Sequence, residues 1–186
     1  MTTLAKILPF TKTLLEKTVN PGDNVIDATV GNGNDTVYLA ELVGPSGQVF
    51  GFDVQPAAIE ATKTRLSAAN ITNVDLILDG HQNALKYISR EISAAIFNLG
   101  YLPGSDKTVT TTGHTTWQAV TDILTLLKPN GIIVLVIYHG HETGKTERDE
   151  IEFAIKTLDP TKTAVLRYEF LNKKDAPYII AIEKVK

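Results

Sequence analysis

The residues that could do chemistry fall in four short segments. In VIDATVGNGNDT, Val25–Thr36, an acid, Asp27, precedes a loop containing Gly31, Asn32, Gly33 and Asn34. Glycines let a backbone close on a ligand, and the free N–H groups of a following helix face a negative group such as a carboxylate. Asp53, in FGFDVQP, lies 20 residues beyond Gly33, with Gln55 beside it. An acid at that distance reads a ribose, because its lone pairs match two adjacent hydroxyl donors. LILDGHQNAL closes a further apolar run with an acid and an imidazole, Asp79 and His81; a helix-capping or surface position is the plainer account of His81. FNLGYLPG sets Asn98 three residues ahead of Tyr101. An oxygen of Asn98 can accept N–H bonds from an attacking amine, and an aromatic face can hold a planar base. Simple packing at a strand-to-loop turn is the other account of Tyr101.

Such residues need a scaffold that brings distant segments to one edge. The chain has 186 residues, 43% of them apolar and 21% charged, which suits one domain spanning 1–186. Short β-branched runs alternate with helical patterns, as in a mostly parallel sheet covered on both faces. The strands are expected at Asn24–Asp27, Gln48–Asp53, Val74–Leu78, Ala94–Asn98, Ile132–Tyr138, Ala164–Leu171 and Tyr178–Val185. Helices are expected over Ile7–Thr18, Asp35–Val43, Pro56–Ala69, Ala84–Glu91, Thr115–Leu127 and Thr146–Leu158. Only NKKDAP separates the last two strands, too little for a parallel crossover, so the last strand should run antiparallel to its neighbour. In an open sheet of this kind ligands bind at the carboxyl ends of the strands, where the four segments fall.

Composition removes several classes of function. The chain has no cysteine, which excludes disulfides, thiolate metal sites and thiol nucleophiles. A net charge of −3 argues against coating nucleic acid by bulk charge while permitting a local basic patch. The longest aliphatic run, Ile132–Ile137, is far short of the ~20 residues of a membrane span, and a cytoplasmic protein is expected. HGHETGKT, His139–Thr146, approaches a phosphate loop but has His139 where the first glycine belongs. His139 and His141 lack the further ligands a zinc site would need, so no metal is expected. Lys145 and Arg148 read either as a solvated helix start or as the border of a substrate cleft touching phosphates, with His139 on the same side. The threonine-rich stretch at about 101–116, which includes Lys107, is either a solvated loop or a substrate-side lid. Tyr38, Phe50 and Phe153 read as core residues.

Two cofactors share the glycine-loop geometry. A dinucleotide fingerprint wants a third glycine where this chain has Thr36. Asp27 would repel a pyrophosphate and suit the ammonium of a methionine moiety. With the reversed terminal hairpin, these features favour S-adenosylmethionine over a nicotinamide cofactor, an NAD-dependent oxidoreductase remaining the less favoured alternative. From before the first strand to its end the chain resembles the class I methyltransferases. That likeness implies a Rossmann-like α/β fold, a seven-stranded sheet of order 3-2-1-4-5-7-6 with the last strand antiparallel. Amino-directed members carry Asn or Asp, a tight turn and an aromatic after the fourth strand; here the turn is Asn98-Leu99-Gly100-Tyr101.

DATVGNGNDT, FNLGYLPGSDKTVTT and HGHETGKTERDE together closely resemble a small bacterial family formerly described as rRNA methylases. Its members methylate the 5-aminomethyl group of 2-thiouridine at the tRNA wobble position. The resemblance implies that activity here, with the tRNA anticodon stem-loop as partner. It implies Asn98 and Tyr101 as catalytic residues, and Asp27, Gly31, Asn32, Gly33, Asn34, Asp53, Gln55, Asp79 and His81 around the cofactor. Lys107, His139, Lys145 and Arg148 then face the RNA. A methyltransferase acting on rRNA or a small-molecule amine is the alternative, and the oligomeric state, homodimer included, stays open.

Overall fold

The structure, a computed structural model, describes residues 3–99, 112–139, 142–174 and 176–186. Its strands are β1 (Asn24–Asp27), β2 (Gln48–Asp53), β3 (Val74–Leu78), β4 (Ile92–Leu99), β5 (Leu127–Ile137), β6 (Thr163–Tyr168) and β7 (Tyr178–Lys184). They form one sheet of order β3-β2-β1-β4-β5-β7-β6. Strands β1 to β5 pair parallel, whereas β7 runs antiparallel to both β5 and β6. This is the class I methyltransferase topology that the resemblance implies.

Helices α1 (Ile7–Thr18), α2 (Asn34–Val43), α3 (Pro56–Ala68), α4 (Gly113–Leu126) and α5 (Glu142–Ile155) cover the sheet. The period of two divides the central strands between two cores. Ala94 and Ile96 of β4, Val134 and Val136 of β5 and Ile179 of β7 pack with Leu15 of α1 and Leu39 of α2. Ala95, Phe97 and Leu99, Ile133 and Leu135, and Tyr178 and Ile180 pack with Ile123 of α4 and Ile151 of α5. Each buried aliphatic side chain contributes ~1.5–3 kcal/mol, and strands sandwiched this way carry no polar face to mark them.

Several boundaries move from the sequence expectation. The helix expected over Ala84–Glu91 is instead one short 3-10 stretch, His81–Lys86. Only thirteen residues link Leu78 to Ile92, and Asp79 draws Gly80 N–H, the Asn83 amide and the Tyr87 hydroxyl into a local cluster that tightens the turn. Strand β5 begins at Leu127, before Pro129, with a register irregularity opposite Ile92–Ala94. Strand β6 stops at Tyr168, and α5 occupies Glu142–Ile155. Helix α4 begins inside the threonine-rich stretch: Thr112 and Thr115 form a reciprocal capping box that satisfies orphan N–H groups of the first turn. Phe50 is buried and Tyr38 half-buried, but Phe153 is 73% exposed, a correction to its reading as core. It lies on α5, where Ile151 supplies the buried contact.

Candidate active site

The sheet changes direction between β1 and β4, where successive connections diverge to opposite sides, and the loop after β1 opens there. Gly31 and Gly33 take φ of +52° and +75°. A Cβ on Gly33 would stand 2.6 Å from the Thr62 hydroxyl oxygen, so the loop lies directly on α3. The Thr62 hydroxyl donates to Gly31 O at 3.2 Å.

Two acids hold this loop from below and from the side. Asp27 is wholly buried. One of its oxygens accepts the Thr29 N–H at 3.1 Å and the other the Thr36 hydroxyl at 2.6 Å. Burial, aided by the charges of Asp35 and Asp53 and opposed by the two hydrogen bonds, raises its pKa to about 7. Asp53, half-buried at the tip of β2, accepts Gly31 N–H at 2.8 Å on one oxygen and Gln55 N–H at 2.9 Å on the other. Each of its oxygens retains lone-pair capacity toward solvent.

Asn32 is exposed at the loop tip, and Asn34, also exposed, accepts from Arg65 at 2.8 Å, which turns its side chain toward α3. His81 is buried, and its Nδ1 lies 2.9 Å from Ala28 O, which fixes Nδ1–H as donor and leaves Nε2 as an acceptor. That Nε2 is buried without a hydrogen-bond partner, and the ring meets Phe97 edge-on at 5.3 Å. Burial lowers the pKa of His81 and keeps the ring neutral. Asp79 spends both oxygens on its own turn, which holds its carboxyl below the usual range.

At the tip of β4 Asn98 is half-buried. Its N–H donates to the Thr29 hydroxyl oxygen at 2.8 Å, and its side-chain amide donates to Asp35 at 3.2 Å. Tyr138 follows β5 alongside, its N–H donating to Leu99 O at 3.3 Å. Its phenol pKa is raised by burial and by the charge of Asp35, which puts Tyr138 near the same acid. His139 packs edge-on to Tyr178 at 5.6 Å, with its Nδ1 buried and unpartnered. Arg148 pairs with Asp149 at 2.7 Å, and Lys145 lies half-buried on α5. Tyr101 and Lys107 lie outside the described residues.

Relatives carry the same frame. The family model described as "Putative rRNA methylase" matches residues 49–183, and one described as "Protein-L-isoaspartate(D-aspartate) O-methyltransferase (PCMT)" matches residues 3–87. The chain belongs to the first of these families. A crystal structure of a Clostridium thermocellum protein described as an rRNA methylase superposes with a TM-score of 0.96 at 43% identity, covering 98% of this chain and 100% of that one. A Streptococcus mutans methyltransferase solved in complex with S-adenosylhomocysteine gives 0.90 at 38% identity, covering 98% and 99%. The chain is also 34% identical, over 91% of its own length, to the Arabidopsis thaliana "tRNA (mnm(5)s(2)U34)-methyltransferase, chloroplastic". It spans 66% of that relative and 43% of a Lactobacillus johnsonii demethylmenaquinone methyltransferase.

The rRNA methylase family is one of S-adenosylmethionine-dependent methyltransferases, and the residues present fit that cofactor. A glycine-lined loop stands at the switch point, Asp53 keeps acceptor capacity for a ribose diol, and carboxylates at Asp27, Asp35 and Asp53 surround the loop where a cationic group would sit. Among the described residues no cluster of three or more His, Asp or Glu could hold a metal ion, and no helix is long and apolar enough to cross a membrane.

Sequence reasoning passed over Thr29, Thr36, Asp35 and Thr62. Thr29 and Thr36 belong to the segment read for its glycines, and their hydroxyls become site fixtures only once the loop folds over Asp27. Asp35, in the first turn of α2, looks like an ordinary partner of the helix dipole. Its contact with Asn98, 63 residues away, has no local signal.

Proposed function

We propose that this protein transfers a methyl group from S-adenosylmethionine to the aminomethyl nitrogen of 5-aminomethyl-2-thiouridine at the tRNA wobble position. The observation carrying this reading is the 34% identity, over 91% of the chain, to a relative named for that modification. An amide at the tip of β4, beside the glycine loop, supports an amine as acceptor.

The cofactor, when bound, supplies an electrophilic methyl. Asp53 and Gln55 hold the ribose side, and the loop Gly31–Asn34 with the start of α2 receives the methionine end. Asp27 acts there through its charge and through the shape it gives the loop, since its oxygens already serve Thr29 and Thr36. His81 and the Asp79 turn border the adenine. Asn98 accepts an N–H of the substrate amine and aims its lone pair, and Tyr101 would supply an aromatic face for the base. Positioning of this kind recovers up to ~7–11 kcal/mol of a bimolecular barrier. An alkyl amine is mostly protonated near neutrality, so the site must also favour its neutral form; desolvation in the cleft beside Asn98 would act in that direction, against the charge of Asp35. The wobble base sits in a single-stranded loop and can be splayed into the cleft without breaking a pair. His139, Lys107, Lys145 and Arg148 would meet the anticodon arm.

The test is transfer of labelled methyl from S-adenosylmethionine to tRNA from cells lacking the enzyme, followed by mass analysis of the nucleosides. A mass gain confined to 5-aminomethyl-2-thiouridine supports the proposal. Label in ribosomal RNA or in small amines, with none in tRNA, overturns it.

A further inference from the structure

We infer that Asp35 is the positioning residue for Asn98, fixing which edge of its amide meets the substrate nitrogen. The inference rests on the amine-methylating reading above and deepens it.

Two bonds hold Asn98. The Thr29 hydroxyl takes its backbone N–H at 2.8 Å, and the Asp35 carboxylate takes its side-chain amide at 3.2 Å. The second bond decides the chemistry. An amide side chain has a donor end and an acceptor end of nearly equal shape, and packing alone does not distinguish them. An ionised carboxylate only accepts, so it repels the oxygen and holds the NH2. With Nδ2 committed to Asp35, Oδ1, without a partner among the described residues, is the end left for a ligand. An amine nucleophile needs that arrangement: the acceptor takes one N–H and leaves the lone pair free. A flipped amide would present a donor, and a donor would tie up the lone pair. Asp35 comes from the first turn of α2 and Asn98 from the tip of β4, so the glycine loop that receives the cofactor also sets the acceptor's orientation.

The experiment is a set of variants assayed with S-adenosylmethionine and tRNA carrying the aminomethyl group. Asp35→Ala and Asn98→Ala should each lower kcat roughly 10- to 100-fold, the loss expected from a misplaced reacting group. Because Asp35 also borders the cofactor loop, kcat is read at saturating S-adenosylmethionine, and the double variant should be no worse than the poorer single one. The orientation argument also makes a reciprocal prediction. Asn98→Asp sets two carboxylates against each other and should be nearly inactive. Adding Asp35→Asn restores one donor facing one acceptor, with a carboxylate oxygen still turned to the amine, so the swapped pair should regain at least tenfold over Asn98→Asp. A purely structural role predicts additive losses and no rescue. Asp35→Ala turning over like wild type, or Asn98→Asp unimproved by Asp35→Asn, overturns the inference. Asp35→Asn keeps the size of the acid and an acceptor oxygen, so the swap does not depend on Asp35→Ala folding. Failure of the wild type to methylate this tRNA defeats the functional reading instead, which separates the two outcomes.

Discussion

Replacing Asp27 by Asn should change how the stability of this protein depends on pH more than it changes the fold. Asp27 is fully buried, and its pKa rises from 3.8 to about 7, chiefly through burial, with Asp35 and Asp53 adding to the rise. Between those values the unfolded chain has released the proton and the native chain still holds it. The native state binds more protons there, so stability falls as pH rises. Integrating over that interval, ionisation of Asp27 removes ~2 kcal/mol of stability between pH 5 and pH 7, and ~4 kcal/mol in total by pH 8. Asn can copy the protonated acid: its oxygen accepts the Thr29 N–H and its NH2 donates to Thr36, whose hydroxyl now serves as acceptor. Urea unfolding of both proteins from pH 4 to pH 8 checks this. The two free energies should nearly coincide at pH 4, separate up to about pH 7 and then level off, with Asp27→Asn the more stable. Taking the difference cancels the other acids, such as Asp23 and Asp79, whose lowered pKa values act in the opposite direction. Parallel pH profiles, or a variant uniformly less stable, would refute the account of Asp27 as an acid neutral at low pH and strained by its charge above pH 7.

Three further outcomes are expected. Gly33→Ala should cost at least ~1 kcal/mol from the left-handed backbone alone, and more from the Cβ 2.6 Å from Thr62; Thr62→Ala in the same chain should recover the second part, as read by denaturant midpoints. Asp53→Ala removes a charged acceptor from Gly31 N–H and from the ribose, so S-adenosylhomocysteine should bind roughly 10- to 100-fold more weakly by calorimetry. Binding of tRNA should weaken as salt rises, and Arg148→Ala should flatten the logarithmic slope by about 0.7, unless its pairing with Asp149 persists in the complex, in which case the slope stays unchanged and Arg148 is not a phosphate contact.

The strands and their order were legible because β4, β5 and β7 are buried on both faces and read as apolar runs, and because NKKDAP forbids a parallel return before β7. The 3-10 turn at His81–Lys86 was not, since its alanine and leucine fit a helix until Asp79 claims Gly80, Asn83 and Tyr87. The same division runs through the site. The positions of Asp53 at the tip of β2 and of the glycines after β1 follow from spacing along one βαβ unit. The roles of Thr29 and Asp35 do not, because both act on Asn98, which enters from β4 by a non-local pairing. Asn34, also expected from its place in the loop to meet a ligand, has a side-chain oxygen that accepts from Arg65, a partner 31 residues away with no local signal.

The arrangement of acids explains why this frame suits a sulfonium. A Rossmann-like sheet with a glycine loop accommodates a dinucleotide as readily as an adenosyl group, and the backbone alone does not choose. Here Asp27 lies beneath the loop, Asp35 opens the next helix and Asp53 stands at its flank, close enough for the latter two to raise the pKa of the first. Ionisation of Asp27 costs the protein the ~4 kcal/mol worked out above, chiefly through its burial, and repulsion from Asp35 and Asp53 adds the smaller part. A pyrophosphate would add to that repulsion. A cation of the ligand would offset it, since two unit charges 4 Å apart interact by ~4 kcal/mol at the effective dielectric of a protein surface. The repulsive part of that cost would thus favour a positively charged methyl donor, and the weaker attraction to the neutral thioether left after transfer would favour release of the product.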